Sequence, residues 1–147
     1  MKSRTRVLTL LSFLAAAVLP ALAPQSAQAD PLPPCYGPSC VGYSPYYSTG
    51  TGSCANGADL ESITPVGGGP TITLRWNDWC LSNWARFDGH GGLYLPGSWR
   101  WWVETADGTR AYGGGDVSYT EMVDGTQLAR ACIIPAGYSS PQCTKWH

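Results

Sequence analysis

The segment 99–112 runs Trp99-Arg100-Trp101-Trp102-Val103-Glu104-Thr105-Ala106-Asp107-Gly108-Thr109-Arg110-Ala111-Tyr112. Successive side chains of an extended chain point to opposite faces. Trp99, Trp101 and Val103 therefore share one face, and Arg100, Trp102 and Glu104 the other. An Asp-Gly pair between two such runs is the strongest short-range hairpin signal. Asp107-Gly108 thus predicts a turn joining strands over about 99–105 and 109–112. The same grammar repeats on both sides. Strand-like runs fall at about 58–64, 71–77, 80–87, 117–123 and 126–133, with a short one near 143–146. In the second of these, Ile72, Leu74 and Trp76 alternate with Thr71, Thr73 and Arg75. Turn signals separate the runs: Asn56-Gly57, Gly67-Gly68-Gly69-Pro70, Asp88-Gly89, Pro96-Gly97, Gly113-Gly114-Gly115 and Asp124-Gly125. Many short strands with evenly spaced turns predict an all-β fold, a small disulfide-bonded antiparallel β-sandwich or barrel.

The first 29 residues read differently. Lys2, Arg4 and Arg6 precede an apolar run from Val7 to Ala23, and Ala27-Gln28-Ala29 has the small-x-small pattern of a cleavage site. We therefore expect a secretory signal peptide over 1–29, a Pro/Gly/Tyr-rich arm and loop over 30–53, and a β-domain over 54–147. Removing the leader takes three of the nine bases and none of the ten acids, leaving six against ten, a net charge of −4. That balance argues against a nucleic-acid partner, which calls for a basic footprint. No second long apolar run is present, so no membrane span is expected.

The six cysteines, Cys35, Cys40, Cys54, Cys80, Cys132 and Cys143, are even in number, and the leader points to an oxidising compartment. Three disulfides are expected from this. Fifteen connectivities are possible, and proximity along the chain favours Cys35–Cys40, Cys54–Cys80 and Cys132–Cys143. Zinc would need clustered thiolates, usually with histidine. Only Cys35 and Cys40 stand at such a spacing, with no second close pair, and the histidines are only His90 and His147. No metal or other cofactor is expected.

A catalytic set is hard to find. There is no Gly-x-Ser-x-Gly elbow. His90 lies in the glycine-rich turn Asp88-Gly89-His90-Gly91-Gly92, where nothing would hold a general base in place. Asp88, Asp107 and Asp124 precede glycines and serve as turn formers. The carboxylates left to form a glycosidase-type pair are Asp59, Glu61, Asp78, Glu104, Asp116 and Glu121. No Asp-x-Asp-x-Asp-Gly calcium loop and no phosphate loop ahead of a helix is present.

Seven Trp and eight Tyr are the dominant feature. Tryptophan is the bulkiest packing unit available to a small β-domain, but a domain of this size cannot bury them all. Exposed Trp, Tyr and Arg are preferred anchors of protein interfaces. The candidate contact residues are Trp99, Arg100, Trp101 and Trp102 on the central strand, with Tyr43, Tyr46 and Tyr47 in the amino-terminal loop. The recurring strand arginines Arg75, Arg86, Arg100, Arg110 and Arg130 would otherwise pair across strands with acids such as Glu104.

Several stretches resemble one family. They are Cys35-Tyr36-Gly37-Pro38-Ser39-Cys40 with Gly42 and Pro45, then Cys54, Leu74-Arg75, Cys80-Leu81-Ser82-Asn83-Trp84-Ala85-Arg86, Met122-Val123-Asp124, Ala129-Arg130-Ala131-Cys132 and Cys143-Thr144-Lys145-Trp146. They are similar to the YjfA-like family of small secreted actinomycete proteins, a domain of unknown function, over about 35–147. Trp76 stands where that family commonly has Tyr, and His147 where an aromatic is usual. The resemblance implies export, disulfides and a small β-fold, and no established reaction. By analogy with connecting subunits of extracellular toxin particles, it also suggests an adapter. The expected function is a secreted, non-catalytic module that binds another secreted protein. The alternative is a carbohydrate or cell-wall binding module, with Trp102 and the loop tyrosines as a stacking platform. A hydrolase, or a peptidase inhibitor using the loop 35–54 as bait, ranks below both.

Overall fold

The computed structural model describes residues 31–88, 99–114 and 117–147. The leader, His90 and Asp116 lie outside the described residues. Eight strands follow the turn grammar: β1 Ala58–Ile63, β2 Thr71–Asn77, β3 Ser82–Asp88, β4 Arg100–Thr105, β5 Arg110–Tyr112, β6 Val123–Asp124, β7 Ala129–Ile134 and β8 Gln142–Cys143. They form two antiparallel four-stranded sheets, ordered β1-β2-β3-β6 and β5-β4-β7-β8. The core lies between them. Ile72, Leu74, Ala85, Phe87 and Val123 of the first sheet meet Trp101, Val103, Ala111, Ala129, Ala131 and Ile133 of the second. Period-two patterning produces this directly, since each of these side chains alternates with a neighbour on the outward face. The largest inward ring is Trp101, 5.4 Å from Phe87. It leaves no room for a side chain at residue 113, where a Cβ would stand 2.0 Å from the indole.

The disulfides are Cys35–Cys40, Cys54–Cys80 and Cys132–Cys143. The first two pack with Trp84 and Met122 into a second small core on the outward face of the first sheet. The loop after Pro31 is therefore a cover for that face, and Pro31–His147 is one folded unit. A single 3-10 turn, Gly37–Cys40, anchors it. Asn77 ties the cover to the β2–β3 turn. Its amide donates to the Cys54 carbonyl at 3.0 Å, and its oxygen accepts from the Cys80 N–H at 2.8 Å.

The strand expected over 117–123 is only partly regular, and its hydrogen bonds show why. The Ser118 carbonyl accepts from Phe87 and the Thr120 N–H donates to Ala85, as a strand beside β3 should. The Ala85 N–H, however, donates to the Thr120 hydroxyl at 3.0 Å rather than to main chain. At Met122 the N–H donates to the Tyr43 carbonyl at 2.8 Å, and the carbonyl accepts from the Gly42 N–H at 3.1 Å. The Met122 groups thus point away from β3 toward the amino-terminal cover, the pairing register slips by one residue between Tyr119 opposite Arg86 and Val123 opposite Asn83, and regular pairing is confined to Val123–Asp124.

On the other side, the carboxyl-terminal residues bond to β7. The His147 N–H and carbonyl pair with Ala129 at 3.0 and 2.8 Å. Glu61 of β1 accepts from the Lys145 N–H at 2.5 Å and lies 3.3 Å from His147 Nε2, so this segment bridges the two sheets. Among the described residues no helix is long and apolar enough to cross a membrane.

Candidate binding surface

The outward face of the second sheet is built by cross-strand register. Counting back from the Asp107-Gly108 turn pairs Glu104 with Arg110 and Trp102 with Tyr112. On the other side of β4, Glu104 pairs with Arg130, Trp102 with Cys132, and Arg100 with Ile134. Directly opposed residues share a face. One carboxylate is thereby placed between two guanidinium groups. Arg110 Nε lies 2.6 Å from Glu104 Oε2, and Arg130 Nη2 lies 2.6 Å from Oε1. The Trp102 indole N–H donates to Glu104 Oε2 at 2.9 Å. Glu104 is only 4% exposed. The arginines are stacked as well as paired: Arg110 lies 5.5 Å from the centre of Trp102, and Arg130 4.3 Å from that of Trp146. Each guanidinium is held by a charge on one side and a ring on the other, which fixes long side chains that would otherwise sweep many rotamers.

Burial pushes the Glu104 carboxyl upward, but hydrogen bonds from Trp102, Arg130 and Arg110 outweigh it and hold the group below the ordinary glutamate range. Glu104 is thus a fixed anion that positions arginines, with no tendency to act as a proton donor near neutrality. Asp107 in the hairpin is held well below its usual value, first by the Thr105 hydroxyl at 2.6 Å, then by the Thr109 N–H at 2.9 Å. Glu61 is lowered chiefly by the Lys145 N–H. All three bind protons less readily folded than unfolded. Their stabilisation is present above about pH 4.5, where the unfolded carboxylates ionise, and fades as the pH falls toward the lower folded values. Urea midpoints measured between pH 7 and pH 2.5 should therefore fall with acid, and Glu104→Gln should flatten that slope.

Of the residues expected to contact a partner, the structure separates those that can from those that cannot. Trp101 is 2% exposed, inside the sandwich, and cannot reach a partner. Trp102 does lie on the opposite face, as alternation requires. It is only 6% exposed, packed with Cys132, Ile134 and Cys143, with its N–H committed to Glu104. It offers no open ring for stacking on a sugar, which removes the platform envisaged for it. Trp99 is half-buried against Phe87. Arg100 is exposed. Tyr43, Tyr46 and Tyr47 are all exposed and gathered together: Tyr43 stacks on Tyr47 at 4.6 Å, and Tyr46 lies 4.8 Å from Tyr119.

Two residues important to this face were not among the candidates. Tyr112 is 62% exposed beside Trp102, and Trp146 is 40% exposed beneath Arg130. The hairpin register could have found Tyr112, whereas Trp146 is brought in by long-range pairing that leaves no local mark. An open groove of about 700 Å3 links the two groups, with Arg110 and Tyr112 on one bank and Ser44, Tyr119 and Glu121 on the other. Two acids elsewhere are neutralised in place. On the outward face of the first sheet, Arg75 lies 2.8 Å from Asp59, and Arg86 lies 2.8 Å from Asp88. Comparison of this chain with family models, with characterised proteins and with solved structures finds no match.

Proposed function

We propose that this protein is a secreted, non-catalytic binding module that docks onto another secreted protein; the leader and the resemblance to the YjfA-like family support export, and the adapter role is an analogy with connecting subunits of extracellular particles. The observation that carries the reading is the Arg110–Glu104–Arg130 triad, immobilised on Trp102 and Trp146 and flanked by exposed Tyr112 and Arg100. Interface energy concentrates in Tyr, Trp and Arg that are already held in their bound geometry. Among the described residues, Arg100, Arg110 and Arg130 outnumber the carboxylate Glu104 on this sheet face, so the surface complementary to it is acidic. On this face association runs through side chains. The main-chain edge at Met122 is already taken by the amino-terminal cover, and the edge strand β5 is three residues long. The tyrosine cluster across the groove extends the same surface.

The experiment is affinity capture of tagged protein from the culture fluid of the producing organism, followed by titration of the recovered partner. Tyr112→Ala and Arg100→Ala should each weaken binding by about tenfold, on the order of 1–2 kcal/mol, with melting temperatures unchanged. Raising the salt should slow association more than it speeds dissociation. A wild-type protein that recovers nothing, or a complex indifferent to both substitutions, would refute the reading.

A further inference from the structure

A second feature lies away from this face, at the end of the sandwich where β2 turns into β3. Trp76 and Asn83 are directly opposed across those strands, on the inward side but beyond the core cluster. They line a pocket of about 410 Å3 whose walls are completed by Leu60, Leu128, Gln127 and His147. That volume falls in the range of small-ligand sites. Two observations mark it as more than a packing gap. Leu60 and Leu128 are 37% and 57% exposed at its lip, leaving apolar surface uncovered. Asn83 is 2% exposed, yet its Oδ1 has no hydrogen-bond partner among the described residues. A buried polar atom left in that state costs free energy, and folding alone gives no reason to keep it.

The lining restricts what could fill the space. It contains no Lys, Arg, Asp or Glu, and His147 is turned to Glu61 at 3.3 Å. A charged occupant would therefore lose its hydration without a counter-charge. A purely apolar occupant would leave the Asn83 oxygen unsatisfied. A neutral ring with an apolar face and hydroxyl edges meets both demands. Its face covers the Trp76 indole between the two leucines, and a hydroxyl at its edge satisfies the Asn83 amide once that side chain rotates toward the pocket, since Oδ1 is closed to solvent without an occupant.

We infer that the Trp76–Asn83 pocket is a binding site for a neutral sugar ring, separate from the arginine-bearing face. The test is a titration of 15N-labelled protein with soluble neutral hexoses, N-acetylhexosamines and their disaccharides. A uronic acid and cyclopentane serve as the charged and apolar controls. The expected result is saturable shifts of the Trp76 indole and Asn83 side-chain amide signals with at least one neutral sugar at millimolar concentration, and weaker shifts with both controls. Asn83→Leu should raise the melting temperature while weakening that sugar's binding by about tenfold or more. Trp76→Ala should weaken it as strongly, and Tyr112→Ala should leave it unchanged. The inference is overturned if no neutral sugar moves those two signals, if Asn83→Leu binds as well as wild type, or if cyclopentane binds more tightly than every sugar. None of these outcomes bears on capture of a protein partner.

Discussion

Replacing Cys54 and Cys80 together with alanine should lower stability by about 3–4 kcal/mol, and the melting temperature by on the order of 15 °C. The bridge closes 26 residues. In the chain-entropy picture a loop of that length removes more unfolded-state freedom than the 5-residue ring of Cys35–Cys40 or the 11-residue ring of Cys132–Cys143. The equivalent double substitutions in those two should cost about 2 and 3 kcal/mol. The order of the three, read from urea denaturation, is the sharper check, because native-state relaxation shifts the absolute values more than the ranking. The largest loss also has a structural route. Cys54 and Cys80 are wholly buried against Trp84, and the bridge fastens the amino-terminal cover to the β2–β3 turn. Its removal should therefore loosen the tyrosine cluster as well, visible as increased amide exchange over 42–47.

Glu104→Ala is expected to be the most damaging single charge substitution, at about 3 kcal/mol. Removing one partner from a buried ionic group costs more than the group's net contribution, because the remaining charges keep their desolvation and lose their compensation. Here the loss strands two guanidinium groups and the Trp102 N–H at once. The side chains of Arg110 and Arg130 are 47% and 33% exposed, so they can turn partly to water. That relief keeps the expected cost toward the lower end of the 3–5 kcal/mol typical of broken buried pairs. Glu104→Gln keeps acceptor and shape and should cost about half as much. Arg100→Ala, on the same face but exposed, should stay within about 0.5 kcal/mol of wild type. A Glu104→Ala protein as stable as Arg100→Ala would show that the triad is ornament on the sheet rather than part of its framework. In the same series, loss of partner binding by Glu104→Gln under conditions where that variant is still fully folded would tie the arginine geometry to recognition.

The two-residue period made most of the architecture legible. It placed seven strand positions to within a few residues and put Ile72 with Leu74, and Trp101 with Val103, on shared strand faces, which the structure turns toward one interior. Short sequence separation brought the cysteines together in the favoured pairs, because consecutive strands pack beside one another. Accessibility was not legible. Trp102 occupies the face that alternation assigns to solvent, yet Cys132, Cys143 and Tyr112 arrive from three other strands to cover it. Those partners lie 10 to 41 positions away, beyond what a local pattern can encode. The irregular stretch 118–122 escaped for a related reason: its main-chain bonds are decided by Gly42 and Tyr43, on a loop with no period of its own. The Asn83 pocket was hidden because a polar residue in a strand reads as a solvent-facing position until the register shows it pointing inward.

The hydrogen bonds between the amino-terminal cover and Met122 also bear on how the molecule behaves in a crowd. An unpaired strand margin is a template on which further chains can add, the first step toward fibres. Here the margin beside β3 is occupied by the protein's own loop at Gly42 and Tyr43, and that loop is fastened by sulfur. A reducing milieu would therefore do more than soften the fold, since it would unfasten the guard over a self-adhesive seam.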